Sequence, residues 1–422
     1  GVINQRVATE SKITSHAENR FPFNSLRLPT NLLFPAKNKL SFKNKLPIIR
    51  ILNVLLICAF FSIFFNPQVL GWDEACYISN SLRMQGKTTI FEEIRPIFIS
   101  VIGLLFGDNI LFYKLFAFIL IPATYILMSL VLEKGLNNRY KKQPIFYEAC
   151  LSFSFIAFMP FYDYIGLFMV EIFSVFISFI ALILLSGVKL NCPSKKDNKL
   201  AFLSGVLFAL LAFSRYPFLI FFPIVISYLT FFAKRGRAKL VFHFVSGYLI
   251  LSILFVLFLK LFLGINIVSS LVGAFFAVEN EYAYLYSGGI FYYLKSLIFI
   301  SPIFFIFAII SIADMVYLVI FYFFISKNVL LDRAKRMRLI LGFLFFFNLL
   351  VYTLFTHKEP RFLMYMFFYL VCHFGLFLGS ISPKAQVVDL LEVRKPQRKI
   401  KDILYHVLLS LSLISILLTL IL

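Results

Sequence analysis

Two short stretches hold the residue types that can move a proton and grip an anion. In GWDEACYISN, residues 71–80, Asp73 and Glu74 stand side by side behind Trp72, the single tryptophan of the chain. A carboxylate at the lip of a membrane cavity can take a proton from a hydroxyl. Two adjacent acids in different surroundings can divide the task, one acting while the other orients it or binds a metal. The same residues also suit a plainer role. Ala75, Ile78 and Leu82 recur at helical spacing, so 74–85 reads as a short amphipathic helix. Asp73 would then cap its first N–H groups, and Trp72 would anchor it at headgroup level. In THKEPRFLMY, residues 356–365, His357, Lys358, Glu359 and Arg361 bring two cations and an imidazole together. Such a set can clamp a phosphate group. A pair of cations snorkelling at a helix end is the alternative.

Other candidates are more dispersed. Arg95 directly precedes Pro96 in FEEIRPIF, beside Glu92 and Glu93. Asp163 lies in PFYDY, and Arg215 and Tyr216 lie in FSRYP, where the arginine also fits a turn residue pointing outward. Glu171 falls inside an apolar run, where a carboxylate is a functional candidate by default, although bonding a neighbouring helix would also explain it. Asp314 and Lys260 read as helix-pairing or snorkelling groups, and His243, His373 and His406 as single packed or interfacial histidines. No glycine-rich phosphate loop or Walker pattern occurs, which argues against an ATP-driven machine. The five cysteines show no metal spacing, and no structural disulfide is expected. The pattern requires no cofactor, and a divalent metal beside the acids is compatible with it.

The elements that must position these groups are membrane helices. The chain is 61% hydrophobic and 14% charged, against about half and a quarter in a soluble domain. Candidate apolar spans occur at 48–67, 110–132, 144–161, 165–187, 201–214, 217–233, 241–263, 297–325, 339–356, 361–380 and 403–422, of which 201–214 and 217–233 are short. This predicts an all-α, polytopic transmembrane bundle of about eleven spans. Spans 201–214 and 217–233 read as a tight hairpin, and 297–325 is long enough that it must tilt or bend. Residues 1–47 carry no signal-peptide core and read as a basic cytoplasmic tail preceding a transmembrane domain, 48–422. The chain starts at Gly1, which fits a processed or incomplete N-terminus.

Charge sets the topology. With the N-terminus inside, the basic loops 133–143, 188–200, 234–240, 326–338 and 381–402 all fall on the inner side. The formal charge of +21 is thereby explained by loops facing anionic lipid, not by nucleic acid. The stretch RPIFISVIGLLFG, residues 95–107, reaches only roughly 20 Å as a helix and cannot span. It reads as an interfacial or re-entrant helix within a first outer loop, 68–109. A second outer loop, 264–296, is rich in tyrosine and glycine. Asp73, Arg95, Asp163, Arg215 and the His357–Arg361 turn then share the outer side.

These motifs resemble the GT-C superfamily of integral-membrane glycosyltransferases from the first span to about residue 380. The resemblance rests on WDEACY, RPIFISVIGLLFGDN, AFSRYPF and HKEPRFLMY. The first two look like the protein O-mannosyltransferase and aminoarabinose-transferase branch, the last like mannosyltransferases of lipid-linked glycan assembly. Two departures are a missing double proline after Arg95 and a missing His-Pro before Asp73. The resemblance implies an inverting transfer of a sugar, mannose or another hexose or pentose, from a polyprenyl- or dolichyl-phosphate carrier. The acceptor would be a hydroxyl on a lipid-linked glycan, glycolipid or protein at the outer or lumenal face. It further implies that Asp73 is the catalytic base with Glu74 beside it. Arg95, Lys358 and Arg361, with His357, would meet the donor phosphate. Asp163, Glu171, Arg215, Tyr216 and Glu359 are further site candidates without a transferred role. A prokaryotic cell membrane is the expected location, with the endoplasmic reticulum as the alternative. Rival readings are a transporter or flippase, whose internal repeats are not visible here, a scaffold subunit, and a glycan ligase or phosphate-lipid transferase.

Overall fold

The computed structural model describes residues 45–68, 71–87, 98–136, 140, 143–158, 162, 165–233, 235–267, 288–300, 302–322, 333–354 and 358–381. Among them every regular element is helical. In chain order these are α1 (Lys45–Ser62), α2 (Trp72–Met84), α3 (Phe98–Gly103), α4 (Ile110–Leu136), α5 (Pro144–Ala157), α6 (Val170–Gly187) and α7 (Lys195–Ser214). There follow α8 (Phe221–Phe232), α9 (Arg237–Leu263), α10 (Tyr292–Ile300), α11 (Pro302–Ile320), α12 (Arg333–Leu354) and α13 (Met364–Ile381). Short 3-10 turns at Tyr216–Ile220 and Pro360–Leu363 lead into α8 and α13.

Seven helices, α4, α6, α7, α9, α11, α12 and α13 with its leading turn, are long and apolar enough to cross a membrane. The helices α1, α5 and α8 are apolar but shorter. Two expectations are corrected. The run 297–325 is two helices, α10 and α11, because Pro302 opens the second. Proline supplies no N–H and disfavours helical geometry in the residue before it. The expected hairpin of 201–214 and 217–233 is a corner instead. There α7 lies mainly along α6 and α9, and α8 contacts α9 and α12. The expected span 403–422, the tail 1–44 and residues 268–287 of the second loop lie outside the described residues.

Packing ranks the helices by depth. Of an 18-residue apolar stretch within 360–380, 89% is buried, whereas only 28% of the corresponding stretch of α9 is. The inner helix α13 packs on α4, α6, α11 and α12. Its approach to α4 depends on glycines. A Cβ at Gly379 would stand 2.2 Å from Leu136, and one at Gly135 would stand 2.4 Å from Leu376. The α7–α9 contact is closer still, because backbone meets backbone. A Cβ at Gly205 would sit 2.0 Å from the Phe244 carbonyl, and one at Gly247 would sit 2.1 Å from that of Phe202. Small residues that let helix backbones touch are the usual device where lipid removes the hydrophobic drive between helices. On its outer side α9 exposes Phe242, Ile253, Leu254, Leu261 and Phe262, an apolar face suited to lipid.

Contacts between helix ends sort the bundle into two layers. At one end Arg50 of α1 bridges Glu133 of α4 (3.0 Å) and Glu148 of α5 (3.0 Å), and Arg333 of α12 donates to the Ser186 carbonyl of α6 (2.7 Å). At the other end lie the starts of α2, α4, α6 and α13 and the end of α7. This alternation matches the charge-derived parity: Glu133, Ser186 and Arg333, which border or lie in three of the basic stretches, meet at the Arg50 end. The short helix α3 belongs to the opposite end. It buries Ile99 and Ser100, and Ser81 of α2 donates to the Ser100 carbonyl (2.7 Å).

Candidate active site

The first turn of α2 sets two acids about 100° apart around the helix axis. They therefore face different neighbours. Glu74 turns inward and is fully buried. Its Oε2 accepts from Lys114 Nζ of α4 at 2.6 Å and from the Gly71 N–H at 3.2 Å, and its Oε1 accepts from the Phe168 N–H at 2.7 Å. Glu74 thus ties the start of α2 to α4 and to the segment entering α6. It also meets the N–H just before α2, as a glutamate at the third helical position does in a capping box. Lys114 carried no role in the sequence reading. Its signal was visible, because it is a lone cation inside ILFYKLFAFIL, where an unpaired charge is costly.

Asp73, a quarter-turn or so around the axis from Glu74, pairs with Arg361 Nη1. Pro360 opens the 3-10 turn that precedes α13, a position for which its fixed φ is suited, and Arg361 follows it. The guanidinium also donates from Nη2 to Glu359 Oε1 at 2.7 Å, and its Nε lies 3.8 Å from Glu171 Oε1. The same Glu171 oxygen lies 3.6 Å from Nη2 of Arg215, the residue that ends α7. Three carboxylates and two guanidiniums from four separate stretches therefore form one network. An aromatic wall backs it. The Arg215 guanidinium lies 4.9 Å from the centre of the Phe362 ring, and Arg361 lies 5.5 Å from the same ring. Tyr352 and Tyr365 stack behind them at 5.4 Å. Among the described residues Glu171 Oε2 and the Tyr365 hydroxyl are buried without a hydrogen-bond partner. Buried polar atoms left unpaired in this way mark places where a ligand can bind.

The remaining candidates divide. Lys358 is buried, but its Nζ donates to the Thr353 carbonyl at 2.6 Å, at the C-terminal end of α12. That is a favourable place for a cation at a helix end. Burial holds its ammonium below the ordinary lysine value. Tyr216 is buried in its 3-10 turn. Arg95, Asp163 and His357 lie outside the described residues. Among the described residues no three His, Cys, Asp or Glu groups stand together as a metal site. Of the two groups read as helix-pairing or snorkelling, Lys260 is exposed and Asp314 pairs. Arg338 of α12 binds Asp314 of α11 through two N–H groups, and His373 of α13 reaches Ser311 at 2.9 Å.

The chain shares a GT-C fold, that of polytopic membrane proteins, with solved structures. ArnT from Cupriavidus metallidurans bound to undecaprenyl phosphate has a TM-score of 0.55 at 11% identity, covering 88% of this chain and 71% of its own. The apo state of the same protein gives 0.54 at 13%, covering 90% and 73%. The Archaeoglobus fulgidus oligosaccharyltransferase tethered with an acceptor peptide gives 0.54 at 13%. In that match the alignment covers 89% of this chain but only 55% of the oligosaccharyltransferase. No protein-family model matches the chain, and no curated protein matches it.

Proposed function

We propose that the protein is an inverting glycosyltransferase that moves a sugar from a polyprenyl-phosphate carrier to a hydroxyl acceptor. The observation that supports this most is the Asp73–Arg361–Glu171–Arg215 network, a carboxylate base facing two guanidiniums at one end of a GT-C bundle. Asp73 takes the proton of the acceptor hydroxyl as its oxygen attacks the anomeric carbon. The bond from that carbon to the phosphate oxygen breaks, and the electron pair leaves with the polyprenyl phosphate. Arg361 and Arg215 stabilise the charge that develops there. A single displacement of this kind inverts the anomeric centre.

Asp73 cannot accept a proton with the oxygen that Arg361 already occupies. A donor phosphate competes with Asp73 for Arg361, so arrival of the leaving group frees Asp73 Oδ2 for the acceptor proton. Glu171 Oε2 and the Tyr365 hydroxyl are then the polar atoms available to the acceptor or to the sugar. Glu74 is a positioning residue in this scheme, since its oxygens are committed to Lys114, Phe168 and Gly71. The site lies on the outer or lumenal face, a placement supported by the basic loops at the other end. The solved ArnT is bound to undecaprenyl phosphate, which supports a polyprenyl-phosphate carrier as the donor here.

Mass spectrometry of glycans and lipids from cells lacking the gene tests this reading. Loss of one terminal sugar, with accumulation of the unsugared acceptor, supports a transferase. Glycans of normal structure that accumulate on the wrong side of the membrane would point to a transporter and contradict it.

A further inference from the structure

At the end of the bundle opposite the candidate active site, α7 and α9 enclose an open cavity of about 570 Å³. Lys195, Asn198, Lys199 and Phe202 of α7 and Lys239 and His243 of α9 line it, and no acidic residue does. The one nearby carboxylate, Asp197, is turned away and held by Ser194 and the Lys189 N–H. Asn198 is only 8% exposed, and its Oδ1 has no hydrogen-bond partner among the described residues. One turn further along, Gly205 and Gly247 bring the two backbones into contact, which closes the groove at that level. Its open side continues into the apolar outer surface through Leu203 and Phe242, 47% and 66% exposed.

We propose that this cavity binds the headgroup of an anionic glycerophospholipid. The three ammonium groups meet the phosphate and any further negative charge, Asn198 Oδ1 accepts from a headgroup hydroxyl, and Phe202 with Leu203 receives the first methylenes of the chains. Scattered basic residues explain attraction to a membrane surface. They do not explain a buried amide oxygen without a partner between two cationic helix starts with an apolar floor. The inference is independent of the transferase reading.

The test is native mass spectrometry of the full chain from nanodiscs of phosphatidylcholine containing a minority of phosphatidylglycerol. The wild type should retain phosphatidylglycerol selectively. The triple variant Lys195→Gln, Lys199→Gln, Lys239→Gln should lose it by on the order of 100-fold, about fivefold for each lysine. Asn198→Leu, which leaves the charge intact, should also weaken retention. A matched control, Lys196→Gln, Arg235→Gln, Arg237→Gln, removes three exposed cations outside the cavity and should retain the lipid. Equal loss in both triple variants would reduce the effect to general surface charge and overturn the site. Displacement by soluble glycerophosphate would overturn the lipid assignment. Thermal unfolding of each variant separates loss of the lipid from loss of the fold.

Discussion

Asp73 and Glu74 are neighbours in the chain with different surroundings, and the difference comes from helix geometry. One position along α2 turns the side chain by about 100°, so Asp73 meets Arg361 while Glu74 meets Lys114. Breaking the buried Glu74–Lys114 pair leaves an uncompensated charge, at a cost of about 3–5 kcal/mol. Glu74→Gln or Lys114→Met alone should therefore destabilise the protein by that order in thermal unfolding. The pair Glu74→Gln with Lys114→Met, which keeps an oxygen for the Phe168 N–H, should recover part of it and keep transfer activity. A well-folded double variant without activity would give Glu74 a chemical role. Arg361→Ala should raise the KM for the lipid donor at least tenfold while leaving the acceptor KM within about twofold. That Asp73 and Arg361 share one face was legible in the sequence from the parity of the basic loops, with HKEPR running against the charge rule there. The separate fate of Glu74 was not, since adjacency does not say which way a side chain faces.

The helices themselves were legible as apolar runs, but their partners were not. Pro302 marks the break between α10 and α11 in a run that hydropathy alone reads as continuous. The Gly205–Gly247 contact depends on which helix lies alongside, and nothing within α7 specifies α9. Gly205→Val should force the two backbones apart and cost about 1–3 kcal/mol, read as a lower unfolding temperature. Gly289→Ala, where an added Cβ meets nothing within 4 Å, should leave that temperature unchanged. The same contrast separates α13 from α9. Both are apolar along their length, yet 89% of the apolar stretch is buried in one and 28% in the other, because lipid and protein interior favour the same residues.

Charge parity orders the whole molecule. Alternating helix ends, each deduced from basic loops, meet in space in the combinations that parity requires. With Cys192 replaced by serine, Asp108→Cys at the site end should react with an impermeant maleimide added outside intact cells. Lys196→Cys should react only after permeabilisation. The reverse pattern would invert the orientation and move the chemistry to the other face. The central claim is that Asp73 deprotonates the acceptor during transfer from a lipid-phosphate sugar. It is tested most directly by supplying radiolabelled polyprenyl-phosphate sugar to membranes holding equal amounts of wild-type protein and Asp73→Asn. The account predicts transfer by the wild type and a loss of about 100- to 10,000-fold in the variant with unchanged thermal stability. Transfer by Asp73→Asn at the wild-type rate would contradict it.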